Sequence, residues 1–257
     1  MAMTEQQVRE RVRELAPFHH VVDLPYGLST YVPELAHRDL ERTRVANLVR
    51  HAWPALMEAC GGSLAGMRVL DVACNCGGFS VEAVKSGADQ VLGVDVVDRY
   101  LEQAEFIKQA LGCTNLEFRK MTIEDLSRDN VGRFDVALCF GILYHLEDPV
   151  RAMKGLASVT RRVMVVDTDV VRLGGVLPFV RSEPLWLMSV VQPGGSEEET
   201  TNLWRQGASC QFRPTAQAVE KLLWFLGFGE VRRLKPTEKG LERRYYKGTR
   251  ATFIAVR

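Results

Sequence analysis

No stretch of the 257-residue chain approaches the ~18 consecutive apolar residues of a membrane-spanning helix. The opening Met1-Ala2-Met3-Thr4-Glu5-Gln6-Gln7 lacks the apolar segment of a secretory signal. No membrane partner is expected. Charge of either sign is not in excess: 33 Lys and Arg meet 32 Asp and Glu, a formal +1, so no overall field draws the chain to nucleic acid. Cysteines are few and scattered, at positions 60, 74, 76, 113, 139 and 210. Only Cys74 and Cys76 lie close together, and a C-x-C spacing suits neither a zinc knuckle nor a C-x-x-C redox pair. Free thiols in a reducing cytoplasm are the expectation. His19, His20 and Asp23 do not make a metal site, because adjacent residues of a strand face opposite sides. Internal repeats and low-complexity runs are absent too.

What the chain does have is 46% hydrophobic residues, enough for a full α/β core. Met67-Arg68-Val69-Leu70-Asp71-Val72 reads as a strand, the next residues as a tight loop, and Gly78 to Lys85 as a helix. Gln90-Val91-Leu92-Gly93-Val94-Asp95 is a second strand ending in a carboxylate. This is the opening βαβ unit of a doubly wound sheet, where ligands bind outside the carboxyl ends of the strands. An acid at the tip of the second strand can accept hydrogen bonds from a ribose. The loop is short of glycine, however. In the frame of G-x-G-x-x-G it offers Ala73, Asn75 and Gly78, and Asp71 would repel a pyrophosphate. An adenosyl cofactor without phosphates meets neither obstacle, and its ammonium would favour a nearby carboxylate. The site points to S-adenosylmethionine.

With Asp71, Ala73, Asn75 and Gly77 in the places of D-x-G-x-G-x-G, the chain resembles class I S-adenosylmethionine-dependent methyltransferases. Asp95 supports the match, as do Leu116 to Leu126, similar to the third strand and its acidic turn, and Phe134 to Leu146, similar to the fourth strand and its loop. The resemblance implies a Rossmann-like seven-stranded sheet. It implies a cofactor held by Asp71, Ala73, Cys74, Asn75, Gly77, Asp95, Val96, Thr122, Ile123, Glu124, Phe140 and Gly141. It also puts the loop of Tyr144 and His145 between cofactor and acceptor. Phe18-His19-His20-Val21-Val22-Asp23-Leu24-Pro25-Tyr26-Gly27 is similar to W-Y-H-x-I-x-L-x-x-G, and Gly141-Ile142-Leu143-Tyr144-His145 to G-V-L-Y-H. Both belong to a subgroup containing the tRNA wobble-uridine carboxymethyltransferase and related small-molecule enzymes.

Three regions follow. Residues 1–62 are expected to form a helical N-terminal lid, in which Thr4-x-x-Gln7 reads as a capping box and Pro54 as a kink or new start. Residues 63–257 are the core, with a fifth strand at Arg162 to Asp167, a helix from Pro214 to Leu226, and a terminal antiparallel pair near 230–234 and 251–256. Residues 170–211 break the rhythm with Gly174-Gly175, Pro178 and Pro193-Gly194-Gly195, and carry Phe179, Trp186 and Trp204. They are read as an insertion lid after the fifth strand. His145 is a candidate general base, Tyr144 a candidate cofactor or substrate contact, and His20 and Trp186 candidate substrate residues. Arg243 and Arg244, amid Arg232, Arg233, Lys235, Lys239, Lys247 and Arg250, form either a solvated hairpin or a clamp for an anion. The reading reached is methyl transfer to an oxygen, or secondarily a nitrogen, of a small and possibly anionic metabolite. Modification of a tRNA base and a non-enzymatic S-adenosylmethionine-binding protein are the alternatives.

Overall fold

The computed structural model describes residues 3–35, 44–172, 184–191, 209–236 and 241–257. Their main sheet has seven strands in the order β3-β2-β1-β4-β5-β9-β8, and its residues fall into two compact units.

The first unit runs to Thr122. It opens with α1 (Glu5–Leu15), and the expected capping box is present: the Gln7 N–H donates to the Thr4 hydroxyl, and the Thr4 N–H to the Gln7 side chain at 2.9 Å. Val8, Val12 and Leu15 fall on one face and are buried. After a 3-10 turn at Pro25–Gly27 comes α2 (Arg44–Ala59). Pro54 lies inside α2, so of the two alternatives read from the sequence it is not the start of a new helix. Then follow β1 (Arg68–Val72), α3 (Gly78–Lys85), β2 (Gln90–Asp95), α4 (Asp98–Leu111) and β3 (Leu116–Lys120). The first two strands and the helix between them agree with the sequence reading to within a residue.

β1 and β2 bury nearly every residue, the mark of interior parallel strands covered on both faces. They pair in parallel, with Asp71 opposite Gly93. Glycine is required at Gly93, because an added Cβ would come 2.6 Å from the Phe118 ring. Gln103 of α4 donates its amide to the carbonyls of Leu15, at 2.7 Å, and Pro17, at 2.9 Å, tying the end of α1 to this unit.

The second unit begins at Ile123 and includes residues 242–257. Its elements are α5 (Arg128–Val131), β4 (Phe134–Phe140), α6 (Pro149–Val159), β5 (Thr160–Asp169), β6 (Trp186–Val191), β7 (Ser209–Pro214), α7 (Ala216–Phe225), β8 (Glu230–Arg233), α8 (Arg243–Lys247) and β9 (Arg250–Val256). β4 and β5 are parallel, whereas β9 runs antiparallel between β5 and β8. β6 and β7 form a separate two-stranded ribbon. Two boundaries differ from expectation. Pro214 closes β7, and Thr215 caps α7 by accepting from the Ala218 N–H. The segment between β8 and β9 contains α8, not a plain hairpin connection. The expected lid residues Gly174, Gly175, Pro178, Phe179, Pro193, Gly194, Gly195 and Trp204 lie outside the described residues, as does Lys239 of the charge cluster.

At the carboxyl end of β5 a buried ionic cluster replaces apolar packing. Asp167, fully buried, accepts from Arg250 Nε at 2.8 Å, Tyr245 Oη at 2.7 Å and Thr252 Oγ1 at 2.7 Å. The Arg250 side chain is 1% exposed. The sequence groups Arg250 with a solvated charge run; β9 pairing instead places it opposite Asp169 and inside the fold. A buried pair is costly to break from one side, since the remaining charge is stranded. Arg250→Met should therefore lower unfolding free energy by about 3–5 kcal/mol. Urea titration of Arg250→Met and of the double variant Arg250→Met/Asp167→Asn provides the measure, with the double variant recovering part of the loss.

Candidate functional site

In the first unit the chain between β1 and α3 forms a loop with Ala73 at φ 53°, Asn75 at φ 52° and Gly77 at φ 79°. These are the three places at which the family pattern has glycine. An L-residue in this left-handed region costs about 1–2 kcal/mol, less for asparagine. Asn75 offsets it locally: its Oδ1 accepts the N–H of the next residue, Cys76, at 2.8 Å. Gly77 has no alternative, because a Cβ there would meet Phe118 Cζ at 2.6 Å.

Every backbone N–H from Cys74 to Gly78 has a partner within the protein. Cys74 donates to Val94 O (3.0 Å), Asn75 to Asp95 Oδ2 (2.8 Å), Cys76 to Asn75 Oδ1, Gly77 to Cys74 O (2.9 Å) and Gly78 to His20 Nδ1 (3.2 Å). Anion-binding loops depend on N–H groups pointing freely at the ligand. This loop offers none.

Two carboxylates complete the group. Asp95 accepts from the N–H of Asn75 on Oδ2 and of Val96 (2.8 Å) and Val97 (3.0 Å) on Oδ1. Burial raises its pKa, opposed by those three N–H groups. About one acceptor position remains, on Oδ2. Asp71 is wholly buried. Its Oδ2 accepts from Ser80 Oγ at 2.6 Å, whereas Oδ1 has no hydrogen-bond partner. Burial pushes its pKa up to about 7, with the Ser80 hydrogen bond opposing and the Asp95 charge adding to the rise. A buried carboxylate oxygen without a donor is a place for a cationic ligand. Cys74 and Cys76 are buried beside it; burial drives the Cys76 thiol to about 12, which makes it inert as a nucleophile.

The sequence reading expects His20 among substrate residues. The structure puts it elsewhere, 4% exposed, beneath the loop. Its Nδ1 takes the Gly78 N–H, its own N–H meets Cys76 Sγ at 3.3 Å, and its ring lies edge-on to Phe79 at 5.1 Å. Val96 is exposed and Thr122 half-buried just past β3.

In the second unit, Ile123 is buried and Glu124 half-buried in a 3-10 turn. Phe140 ends β4, and Gly141, at φ 75°, donates to Asp167 O at 2.8 Å. Tyr144 and His145 share the 3-10 turn Leu143–His145, their ring centroids 4.0 Å apart. Gln211 of β7, which carries no motif in the sequence, brings its amide nitrogen to 3.3 Å from His145 Nδ1. Trp186 is half-buried in β6. The two arginines expected as an anion clamp differ. Arg243 is exposed, but Arg244 is already engaged by carboxylates: Nη1 lies 2.9 Å from both oxygens of Asp169, and Nε and Nη2 lie 2.9 and 2.6 Å from Glu242 Oε2. Two acids already compensate its charge, so an acceptor anion has less to gain from Arg244 than the sequence expects.

A family model described as a methyltransferase domain matches residues 63–201. Among curated proteins, the chain is 32% identical over 129 residues to a ubiquinone biosynthesis O-methyltransferase of Leptothrix cholodnii, covering 50% of this chain and 52% of that protein. It is 29% identical over 125 residues to the protein of the same name from Acinetobacter baumannii, covering 49% and 51%. The chain thus spans about half the length of the curated relatives it matches. The N-terminal domain of EvdMO1, solved in the presence of SAH and D-fucose, superposes with TM-score 0.69 at 21% identity, over 99% of this chain and 97% of that one. Magnesium protoporphyrin IX methyltransferase from Synechocystis PCC 6803, with bound SAM, gives TM-score 0.56 at 17% identity, over 85% and 82%. These two share the fold.

The position of His20 is testable. His20→Ala strands the Gly78 N–H and opens space beside Phe79, so unfolding free energy should fall by about 1–3 kcal/mol, with faster amide exchange across residues 75–78. Unchanged stability would return His20 to the substrate role expected from the sequence.

Proposed function

As the chain belongs to the methyltransferase-domain family, whose match covers more than half of it, we propose that it transfers a methyl group from S-adenosylmethionine to an oxygen of a small metabolite. One observation carries the choice of cofactor. The loop at the end of β1 uses its N–H groups from Cys74 to Gly78 internally, yet leaves one oxygen of a buried carboxylate unpartnered. Such a site is closed to a pyrophosphate and suited to a ligand bearing an ammonium. Asp71 would hold that ammonium, and Asp95, through the acceptor position left on Oδ2, a ribose hydroxyl. The group would supply a methyl already made electrophilic by its sulfonium. What the chain must add is alignment of an acceptor lone pair and exclusion of water. Few acid–base residues are needed, consistent with the sparse set at Tyr144 and His145.

Oxygen as the acceptor atom is supported by the O-methyltransferase names of the curated relatives. Neither of these relatives is named as a tRNA enzyme, and a formal charge of +1 adds nothing to the tRNA reading. Against a non-enzymatic role stands the loop itself, which keeps the left-handed turns at Ala73 and Asn75 despite the missing glycines.

Calorimetry should give S-adenosylhomocysteine binding in the micromolar range and no heat with NAD. Asp95→Ala should weaken binding by about 2–4 kcal/mol; unchanged affinity would remove the site from this loop.

Asp71 adds a pH dependence. Its folded pKa, about 7, stands above the ordinary value of 3.8, so between these values the folded state holds a proton that the unfolded state has lost. Its contribution to stability is therefore greatest at low pH and is lost as pH rises toward neutrality. Asp71→Asn should flatten the decline in the ligand-free melting temperature between about pH 4 and about pH 7. It should also weaken cofactor binding. In the wild type, binding near neutral pH should release protons, seen as a buffer-dependent heat. A pH-independent wild-type melting temperature with no proton release would argue against a charge-matched Asp71.

A further inference from the structure

The ribbon that follows β5 reaches the turn carrying His145. Among the described residues β7 pairs with β6, outside the main sheet, and packs against the Leu143–His145 turn. From β7, Gln211 is 3% exposed, and its amide nitrogen lies 3.3 Å from His145 Nδ1. The Tyr144 ring packs beside the imidazole, and the His145 backbone N–H is closed onto Ile142 O at 2.8 Å. A buried primary amide is a rigid object, with two donors on one side and one acceptor on the other. A donor facing Nδ1 requires that nitrogen to keep its lone pair, which leaves the ring proton of neutral histidine on Nε2.

We infer that Gln211 is a positioning residue: its buried amide holds His145 Nδ1 and keeps the ring proton on Nε2, so that His145 orients the methyl acceptor as a hydrogen-bond donor and does not act as its base. The inference rests on the methyl-transfer reading for its catalytic meaning, though not for the tautomer. It changes the role expected for His145. A donor at Nε2 engages one lone pair of an acceptor oxyanion, such as a carboxylate or phenolate, and fixes the direction of another; the O–CH3 bond then forms as the S–CH3 bond breaks, S-adenosylhomocysteine leaves, and no proton has to be removed. The post-β5 ribbon thereby acquires a role, since β7 delivers the side chain that sets the His145 ring.

Nitrogen-15 NMR of histidine side chains in the full chain tests this, with His145→Asn identifying the His145 signals. No acceptor is needed. The wild type should show the Nε2–H tautomer above its titration midpoint. Gln211→Leu should yield a mixture of tautomers. Gln211→Glu, nearly isosteric, should move the His145 midpoint upward, because a carboxylate beside Nδ1 favours the doubly protonated ring. Wild-type Nδ1–H, or His145 signals unchanged in both variants, would overturn the inference. With a methyl acceptor in hand, Gln211→Leu should lower kcat by about tenfold or more with the KM for S-adenosylmethionine near wild type. Calorimetry with S-adenosylhomocysteine on the same samples separates the two ideas. Lost wild-type binding defeats the methyl-transfer reading and leaves the tautomer result standing, whereas intact binding with an Nδ1–H ring defeats only the role given to Gln211.

Discussion

Pairing of buried backbone N–H groups is the constraint on which the cofactor-side geometry depends. Each such group left without a partner costs the protein one desolvated donor. Five consecutive N–H groups, Cys74 to Gly78, find partners in a strand carbonyl, a carboxylate, an Asx side chain, a loop carbonyl and an imidazole. Winding the chain tightly enough to reach all five places Ala73, Asn75 and Gly77 at positive φ. The same winding draws Asp95 onto the loop and packs His20 beneath it. A loop so occupied cannot cradle phosphate. Its remaining polarity is that of two carboxylates, which sets the class of ligand it can accept.

Two buried aspartates at strand ends show how partner count separates structure from function. Asp167, at the end of β5, receives the Arg250 guanidinium, the Tyr245 hydroxyl and the Thr252 hydroxyl. Nothing more can be asked of it, and it serves to fix β5 against β9. Asp71, near the end of β1, is held by Ser80 alone, through its hydroxyl and backbone, and has an oxygen to spare. Burial raises its pKa to about 7 and the Ser80 hydrogen bonds only partly oppose this, so without a cation it keeps its proton below neutral pH. A saturated acid is a rivet. A half-satisfied one has room for a further donor.

Hydrophobic periodicity and the acids at strand tips made the parallel strands, α3 and the loop legible in the sequence, since these depend on near neighbours in the chain. Asparagine's tolerance of positive φ already allowed Asn75 its turn. The N-terminal capping box was local as well, and it is present. Contacts across long separations were not legible. Nothing near position 250 announces that β9 pairing buries Arg250 against Asp167, 83 residues earlier. The same holds for Arg244, whose acids come from Glu242 next door and from Asp169 at a distance of 75 residues. His20 carried the family pattern, but the lack of a side chain at Gly78 that admits its ring could not be seen from the motif alone. Gln211 gave no signal: a single polar residue in an irregular stretch becomes informative only when a strand places it on a histidine.

The non-glycine loop residues connect these observations to the chemistry. Glycine at positions 73 and 75 would adopt the same turns without strain, yet would leave the unfolded chain more conformations to surrender. Ala73 and Asn75 accept local strain, and Asn75 returns part of it through its bond to the Cys76 N–H. The result is a loop whose conformation is set before any ligand arrives. Methyl transfer gains little from acid–base groups and much from alignment. A loop fixed by its own hydrogen bonds and a histidine fixed by a buried amide are two expressions of that one demand, obtained by giving the loop N–H groups and the ring Nδ1 settled partners.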